Sequence, residues 1–300
     1  MSNAYHGLMT GRMMNNRIFL DYLLEAGPRI VRLGFLDHPT NLLAETPDIS
    51  WETPHGRYHL YGGHRLWHAP ESVDRTHIPD DAAPTINAGE HRVDIFAPVE
   101  RPTGIQKSMS IHLDPNEPVI TIEHTLCNQG DNAIELAVWP ITQLPLGGVL
   151  ILPQNREAVD PHGKLPNRSI QLWPYSRIQD PRVHLEDDVI LLEAGNIPES
   201  NKIGYLNRTG WLAYLRGDVM LIKHFSPRPD AVHADMGCNV EAYLSGMFVE
   251  METLSPLEWI EPGSAITHQE RWELHRIPAP PASLPELLAA LRSGSLRVRL

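Results

Sequence analysis

Short segments in which apolar and polar residues alternate recur along most of the chain. Strict alternation is typical of β-strands, because successive side chains of a strand point to opposite faces of its sheet. Proline, glycine, asparagine and aspartate separate these segments, as is usual for turns between strands. The pattern predicts an all-β protein, and its clearest strands are residues 31–35, 109–113, 120–126, 134–138, 211–215, 219–225, 247–254 and 265–274.

One helical pattern stands near the C-terminus. Ser283 precedes Glu286 by three residues, which resembles a capping box, and Gly294 is a natural stop. Leucines between them form a short apolar stripe. We therefore expect a short C-terminal helix that packs on the sheet body or on a partner.

The chain shows no repeat at a fixed period and no linker between Ala26 and Arg276. Large β-sandwiches often form a single domain even at this length. We therefore expect one β-domain over residues 1–276, followed by a proline-rich linker and helical appendage over residues 277–300.

The 300 residues carry a formal net charge of −12. This charge opposes binding to nucleic acid and docking on anionic membranes, since both present negative charge. No apolar run reaches the roughly 18 residues of a membrane helix, and residues 1–16 lack the apolar stretch of a signal peptide. The only cysteines are Cys127 and Cys238, so a reducing cytoplasm is the expected compartment.

Two carboxylates share one face of the strand predicted at 247–254. Glu250 and Glu252 are two residues apart, so their side chains point the same way. Neighbouring carboxylates resist ionising together, which raises one pKa and favours general acid–base chemistry. The alternative interpretation is a solvated strand face, or carboxylates that pair with arginines.

The stretch at 61–71 combines features that suit a polyhydroxylated ligand. Its double glycine allows close backbone approach to a ligand, and its histidines and Arg65 supply hydrogen-bond donors. Trp67 offers an apolar plate for the flat face of a sugar ring. The alternative is an ordinary loop whose histidines hydrogen-bond the backbone.

A metal site is a further interpretation of the same stretch. His64 and His68 are four residues apart and Glu71 follows, a spacing that would suit zinc on a helix. The neighbouring glycines and Pro70 disfavour a helix, and on a strand residues four apart lie about 13 Å from each other. We therefore assign no metal ligand.

Four further polar side chains are candidate ligand contacts from other parts of the chain. Each has an equally simple explanation in turn formation or core packing. The chain lacks the Gly-x-Ser-x-Gly elbow, the phosphate-binding loop and the dinucleotide fingerprint, which disfavours serine hydrolases and nucleotide enzymes. The four candidates are Thr142, Gln143, Arg182 and Asn239.

Several short motifs together resemble the galactose mutarotase-like (aldose 1-epimerase-like) superfamily, most closely an uncharacterised branch of it. The resemblance spans roughly residues 26–276. In chain order the motifs are Gly-Gly-His-Arg-Leu-Trp followed by Ala-Pro-Glu at 62–71, Thr-Gln at 142–143 before Gly-Gly at 147–148, Asp-Pro-Arg at 180–182, Gly-Cys-Asn-Val-Glu at 237–241 and Glu-Thr-Leu-Ser-Pro at 252–256.

The resemblance implies a β-supersandwich of large antiparallel sheets whose concave face binds sugar. It also implies a glutamate base on the anomeric hydroxyl and a histidine acid on the ring oxygen, and Glu252 matches that glutamate by its place in the motif. The family's histidine motif aligns with residues 141–144, which contain no histidine. His64 or His68 is then the expected acid.

These expectations define one function and two rivals. The partner is expected to be a small carbohydrate or polyol, with no cofactor, and an enzyme of this kind would be a sugar isomerase. One rival is a non-catalytic sugar-binding or sensing protein. The other is a metal-dependent enzyme that uses His64, His68 and Glu71.

Overall fold

The computed structural model describes residues 3–38, 40–296 and 298, and β-strands dominate it. This part of the chain contains twenty-three strands and two helices. In chain order they are β1 (Asn3–Tyr5), β2 (Leu8–Met14), β3 (Ile18–Leu23), β4 (Arg29–Phe35), β5 (Glu45–Thr53), β6 (Gly56–Gly62), β7 (His64–Ala69), β8 (Thr85–Ala88), β9 (Arg92–Phe96), β10 (Ile105–Leu113), β11 (Val119–Asn128), β12 (Ile134–Pro145), β13 (Val149–Pro153), β14 (Gln171–Leu172), β15 (Val183–Leu185), β16 (Val189–Glu193), β17 (Asn201–Tyr205), β18 (Trp211–Arg216), β19 (Val219–Phe225), α1 (Ala234–Gly237), β20 (Val240–Leu244), β21 (Phe248–Thr253), β22 (Glu258–Ile260), β23 (Ala265–Arg276) and α2 (Leu284–Ser293).

Two large antiparallel sheets hold most of these strands. The first sheet has eleven strands in the order β1-β2-β3-β4-β7-β12-β21-β20-β17-β14, with β22 paired to β12. The second has ten strands in the order β15-β16-β13-β18-β19-β23-β11-β10-β9-β8. β5 and β6 form a separate two-stranded hairpin.

Apolar side chains from both sheets fill the space between them. Val138 and Val249 of the first sheet and Ile122 and Leu274 of the second are fully buried in one continuous core. Along β23 buried and more exposed residues alternate, as the sequence pattern predicts for a strand with one face on the core. The all-β sandwich predicted from the sequence is confirmed.

The predicted C-terminal helix is present as α2. The Ser283 side chain accepts a hydrogen bond from the Glu286 backbone N–H, and Gly294 ends the helix in a left-handed conformation at φ 69°. Leu287 and Leu291 bury their side chains against β13, β16, β18 and β19 on the outer face of the second sheet. No helix in the described part of the chain is long and apolar enough to cross a membrane.

The double glycine at the junction of β6 and β7 allows neighbouring strands to approach closely. Gly62 and Gly63 both have positive φ angles, +95° and +73°. A Cβ on either residue would collide with a backbone carbonyl, that of Ala44 or that of Ile30. The close approach that we expected at a ligand is therefore an approach to neighbouring backbone.

Candidate functional site

A cleft of about 580 Å³ opens on the face of the first sheet that points away from the second sheet. Its floor comes from β7, β12, β21, β20 and β17, and the hairpin β5–β6 covers one side. Trp51 and Leu60 line it from the hairpin, while Trp67 and Trp139 line it from the sheet. The volume suits a small molecule.

Strand register arranges the floor in rows. In one row Arg65, Ile141 and Glu252 are neighbours across β7, β12 and β21. Glu241 on β20 continues this row because it pairs with Glu252. In the next row the neighbours across β12, β21, β20 and β17 are Gln143, Glu250, Tyr243 and Lys202.

Glu252 lies on the cleft side of β21, but neighbouring side chains cover its carboxylate. Glu252 is fully buried, and its Oε2 accepts hydrogen bonds from Trp139 Nε1 at 2.8 Å and from Lys202 Nζ at 3.1 Å. The Lys202 ammonium also pairs with Glu241 at 2.6 Å and lies 4.7 Å from the ring centroids of Trp139 and Trp173. Lys202, rather than Glu252, therefore faces the cleft.

Lys202, Glu241 and Glu252 form a buried cluster of oppositely charged groups. Burial by itself lowers the pKa of Lys202, but the carboxylates of Glu252 and Glu241 outweigh it and raise this pKa well above its ordinary value. Burial also raises the pKa of Glu241 well above its ordinary range, although Lys202 opposes the shift. One ammonium therefore lies between two carboxyl groups beneath the cleft floor, and the raised pKa of Glu241 favours its neutral form, which limits the excess of negative charge.

Glu250 is the carboxylate of β21 that lines the cleft. Its Oε1 pairs with Arg65 Nη1 at 2.8 Å, and the Arg65 guanidinium stacks over the Trp67 ring at 4.2 Å from the ring centroid. Burial raises the pKa of Glu250, the Glu252 charge adds to this, and Arg65 opposes it. Glu250 is thus biased toward its protonated form.

Glu71 and His77 form a second polar pair at the cleft. Glu71 Oε1 lies 2.9 Å from His77 Nε2, and both residues line the cavity. The hydrogen bond from His77 lowers the pKa of Glu71, against a smaller effect of burial, and the Lys202 charge lowers it further. The His77 ring packs on Trp67 with 4.9 Å between ring centroids. Glu71 is thus biased toward its ionised form.

The two histidines expected as catalytic acids point to the other face of the sheet. His64 Nδ1 lies 2.9 Å from Thr142 Oγ1 and its Nε2 lies 2.8 Å from His124 Nε2, between the two sheets. His68 Nε2 lies 3.3 Å from Glu100 Oε2. Burial lowers the pKa of both rings. Side chains alternate between the two faces of β7, and Arg65 and Trp67 face the cleft. His64 and His68 therefore face away from the cleft and do not meet Glu252.

The residues of the rival metal site, His64, His68 and Glu71, do not come together either. Glu71 pairs with His77 in the cleft, while His68 pairs with Glu100 in the interior. His64 shares a different buried group, in which ligand atoms of His64, His124 and Glu270 lie within 4.8 Å of one another.

That buried group is already held by hydrogen bonds. Glu270 accepts hydrogen bonds from Thr253 at 2.6 Å and Trp272 at 2.8 Å, and it pairs with Lys223 at 2.8 Å. His124 Nδ1 lies 3.0 Å from the His268 carbonyl oxygen. These donors and one ammonium satisfy Glu270 as part of a polar cluster between the sheets, so we assign no metal to it.

The remaining candidate contacts are all buried and none of them lines the cleft. Arg182 binds Asp180 and backbone carbonyls, and Asn239 exchanges two hydrogen bonds with the backbone of Asn207. Thr142 bonds His64 between the sheets. Gln143 lies on the cleft side of β12, but it is fully buried and is not among the residues that line the cleft. Its side-chain amide has no hydrogen-bond partner among the described residues.

Comparisons with known proteins identify the fold. No family model matches the chain, and no curated protein matches it. Solved structures do match. A protein from Synechocystis sp. PCC 6803 has a TM-score of 0.60 at 12% identity, covering 92% of this chain and 97% of that chain.

Two further solved structures carry the name of the fold. A galactose mutarotase related enzyme from Lactobacillus acidophilus has a TM-score of 0.52 at 10% identity, covering 90% of this chain and 98% of that chain. A galactose mutarotase-like protein from Lactobacillus casei has a TM-score of 0.52 at 8% identity, covering 89% of this chain and 100% of that chain. This chain has the galactose mutarotase-like fold.

Within this galactose mutarotase-like fold, sequence reasoning missed several cleft residues. No role was assigned to His77 or Lys202 from the sequence, and both residues line the cleft. The aromatic residues Trp139 and Tyr243 also line the cleft. The short strand β17 that carries Lys202 shows no alternation of polar and apolar residues, and all five of its residues are buried. The contact of His77 with Trp67 depends on the path of the connection after β7, which no local pattern encodes.

Proposed function

We propose that the protein binds a small neutral carbohydrate or polyol in the cleft. The observation that carries this proposal is the row of polar groups set among aromatic rings. The Arg65–Glu250 pair lies against Trp67 in the cleft lining. The pair Glu71–His77 adds further polar groups, and the His77 ring packs on the same tryptophan. Sugars present both hydroxyl groups and apolar ring faces, so such a mixture suits them.

Charge and cysteine content support the same proposal. The net charge of −12 favours a neutral small molecule over nucleic acid. Cys127 and Cys238 are both free thiols, which supports a reducing cytoplasm as the compartment that we propose.

Binding is tested by calorimetric titration with a panel of neutral hexoses, pentoses and alditols. We expect at least one saturable interaction. We expect Glu250→Gln to weaken it about 10-fold, because the variant loses the hydrogen bond that the carboxyl group makes to the ligand and disturbs the pair with Arg65. Glu258→Gln is the matched control on β22, outside the cleft lining. No saturable binding to any sugar of the panel would overturn the proposal.

Isomerisation at the anomeric carbon is the second candidate. Glu71 and Glu250 line the same cleft and have pKa values shifted in opposite directions, which is the arrangement that acid–base chemistry needs. The Glu71 carboxylate would take the anomeric hydroxyl proton as the carbonyl forms and the bond from carbon to ring oxygen breaks. The protonated Glu250 would then give its proton to the ring oxygen, and ring closure on the opposite face reverses both transfers.

Polarimetry on fresh α-glucose and α-galactose tests this second candidate. We expect Glu71→Gln and Glu250→Gln each to lower the enzymatic rate at least 100-fold. A wild-type rate equal to the buffer background removes the candidate and leaves a non-catalytic sugar-binding protein. Full activity in Glu71→Gln together with its loss in Glu252→Gln would assign the base to Glu252.

A further inference from the structure

A second concavity of about 400 Å³ lies outside the cleft. Its walls come from residues 78–82 and 97–102, and it shares no lining residue with the cleft. The walls are mainly apolar, with Ile78, Ala82, Pro98 and Val99 among the lining residues. We call this concavity the groove. Its size falls within the range of small-molecule sites.

Charged side chains with little solvent exposure form the base of the groove. Asp80, Glu100 and Lys107 line it and are 8%, 7% and 2% exposed. Lys107 Nζ pairs with Glu100 Oε1 at 2.8 Å, and Asp80 Oδ2 accepts a hydrogen bond from Arg29 at 2.8 Å. Arg29 is fully buried behind the groove and also binds backbone carbonyls of β6. The base is therefore built into the fold.

Two groups at this base keep free hydrogen-bonding capacity. Asp80 Oδ1 is buried and has no hydrogen-bond partner among the described residues. The Lys107 ammonium carries three donors, and among the described residues its ion-pair partner is Glu100. A buried acceptor without a partner is destabilising, so a ligand that supplies a donor there gains the hydrogen bond without displacing a protein partner.

The charges at the base are balanced. The two cations Arg29 and Lys107 face the two carboxylates Asp80 and Glu100. His68, which contacts Glu100, has a pKa that burial lowers, so it adds no positive charge near neutral pH. An ionic ligand would leave an uncompensated charge in this partly buried site, whereas an uncharged ligand would not.

We propose that the groove is a second small-molecule site, which takes an uncharged ligand with adjacent hydroxyl groups. One hydroxyl donates a hydrogen bond to Asp80 Oδ1, and the oxygen of a neighbouring hydroxyl accepts a hydrogen bond from the Lys107 ammonium. The carbon chain of the ligand packs against Ile78 and Val99. This site is separate from the cleft and does not depend on the function proposed there.

Methyl-resolved NMR of the whole protein tests the groove with glycerol, erythritol and xylitol as probes. We expect saturable shifts of the Ile78, Ala82 and Val99 methyl signals that differ from those of the cleft residues Ile49 and Ile141. Longer alditols should bind more tightly than glycerol, because they bury more of their chain.

Two variants and one control make this test decisive. Ala82→Trp fills the groove while leaving its buried pairs intact, and it should weaken alditol binding at least 10-fold. Lys107→Met should do the same, with circular dichroism reporting whether it folds. Val232→Trp adds the same ring at an exposed position outside the groove and should leave binding unchanged.

Three results would overturn the groove proposal. The first is the absence of saturable shifts at the groove methyls up to about 100 mM probe, an affinity too weak for a specific site. The second is equal binding by wild type and Ala82→Trp. The third is tighter binding of inorganic phosphate or acetate than of alditols. Loss of sugar binding in Glu250→Gln with unchanged groove shifts would separate the groove from the cleft.

Discussion

Two buried glutamates, Glu252 of the first sheet and Glu270 of the second, have the same kinds of hydrogen-bond partner. Glu252 accepts hydrogen bonds from the Trp139 indole and the Lys202 ammonium. Glu270 accepts one from the Trp272 indole and pairs with Lys223. An indole N–H and an ammonium together replace much of the hydration that a carboxylate loses on burial.

At the residue scale, Trp139→Phe tests this arrangement. The substitution keeps an aromatic ring but removes a donor to a fully buried carboxylate, which should lower the free energy of unfolding by about 2 kcal/mol. Urea denaturation measures the change. Trp259→Phe, at a residue 66% exposed, is the control and should stay within about 0.5 kcal/mol of wild type. Equal stability of the two variants would contradict the role given to the indole.

At the scale of elements, β7 and β21 divide their side chains between two different environments. Arg65 and Trp67 of β7 face the cleft, while His64 and His68 face the second sheet. All six residues of β7 are buried, because the hairpin covers one face and the second sheet covers the other. The face of the sheet to which a side chain of these strands points therefore decides whether it lines the cleft or packs between the sheets.

The helix α2 depends on its contact with the second sheet. Leu291 is 1% exposed within the cluster on the outer face of that sheet. Leu291→Ala should cost about 2–5 kcal/mol of unfolding free energy, because it leaves a cavity under the helix. Chemical denaturation checks this, with Leu185→Ala as an exposed control. A cost below about 1 kcal/mol would mean that the helix contributes little to the fold.

At the scale of the whole molecule, a polar cluster that contains buried histidine rings joins the two sheets. His124 Nδ1 must donate to the His268 carbonyl, so His124 Nε2 accepts from His64. Burial lowers the pKa of His124 to about 4 and that of His268 to about 3, although the Glu270 charge opposes both shifts. These rings stay neutral in the folded protein at pH values where they are protonated in the unfolded chain.

Stability should therefore fall as the pH is lowered from about 6.5 to about 4. In this window the unfolded state binds more protons than the folded state, so the free energy of unfolding decreases by up to about 1.4 kcal/mol per pH unit and group. Glu241 and Glu250 act in the opposite direction, since their pKa values are raised in the folded state. The comparison of wild type with a His124 variant isolates the histidine contribution.

Denaturation of wild type and His124→Asn between pH 7 and pH 4.5 gives this comparison. We expect a shallower loss of stability in the variant, by up to about 1.4 kcal/mol per pH unit, whatever its stability at pH 7. Parallel curves for the two proteins would show that His124 does not titrate differently in the folded and unfolded states.

The sequence by itself determined the fold class, the C-terminal helix and the shared face of Glu250 and Glu252. These features are local, because the two-residue period of a strand and the capping box of a helix are written in neighbouring residues. The tertiary structure decided which face of β7 borders the cleft, since both faces are buried and both carry polar residues. It also decided the pairs Glu71–His77 and Trp139–Glu252. Such pairs depend on how distant strands pack, and no periodicity within one strand specifies them.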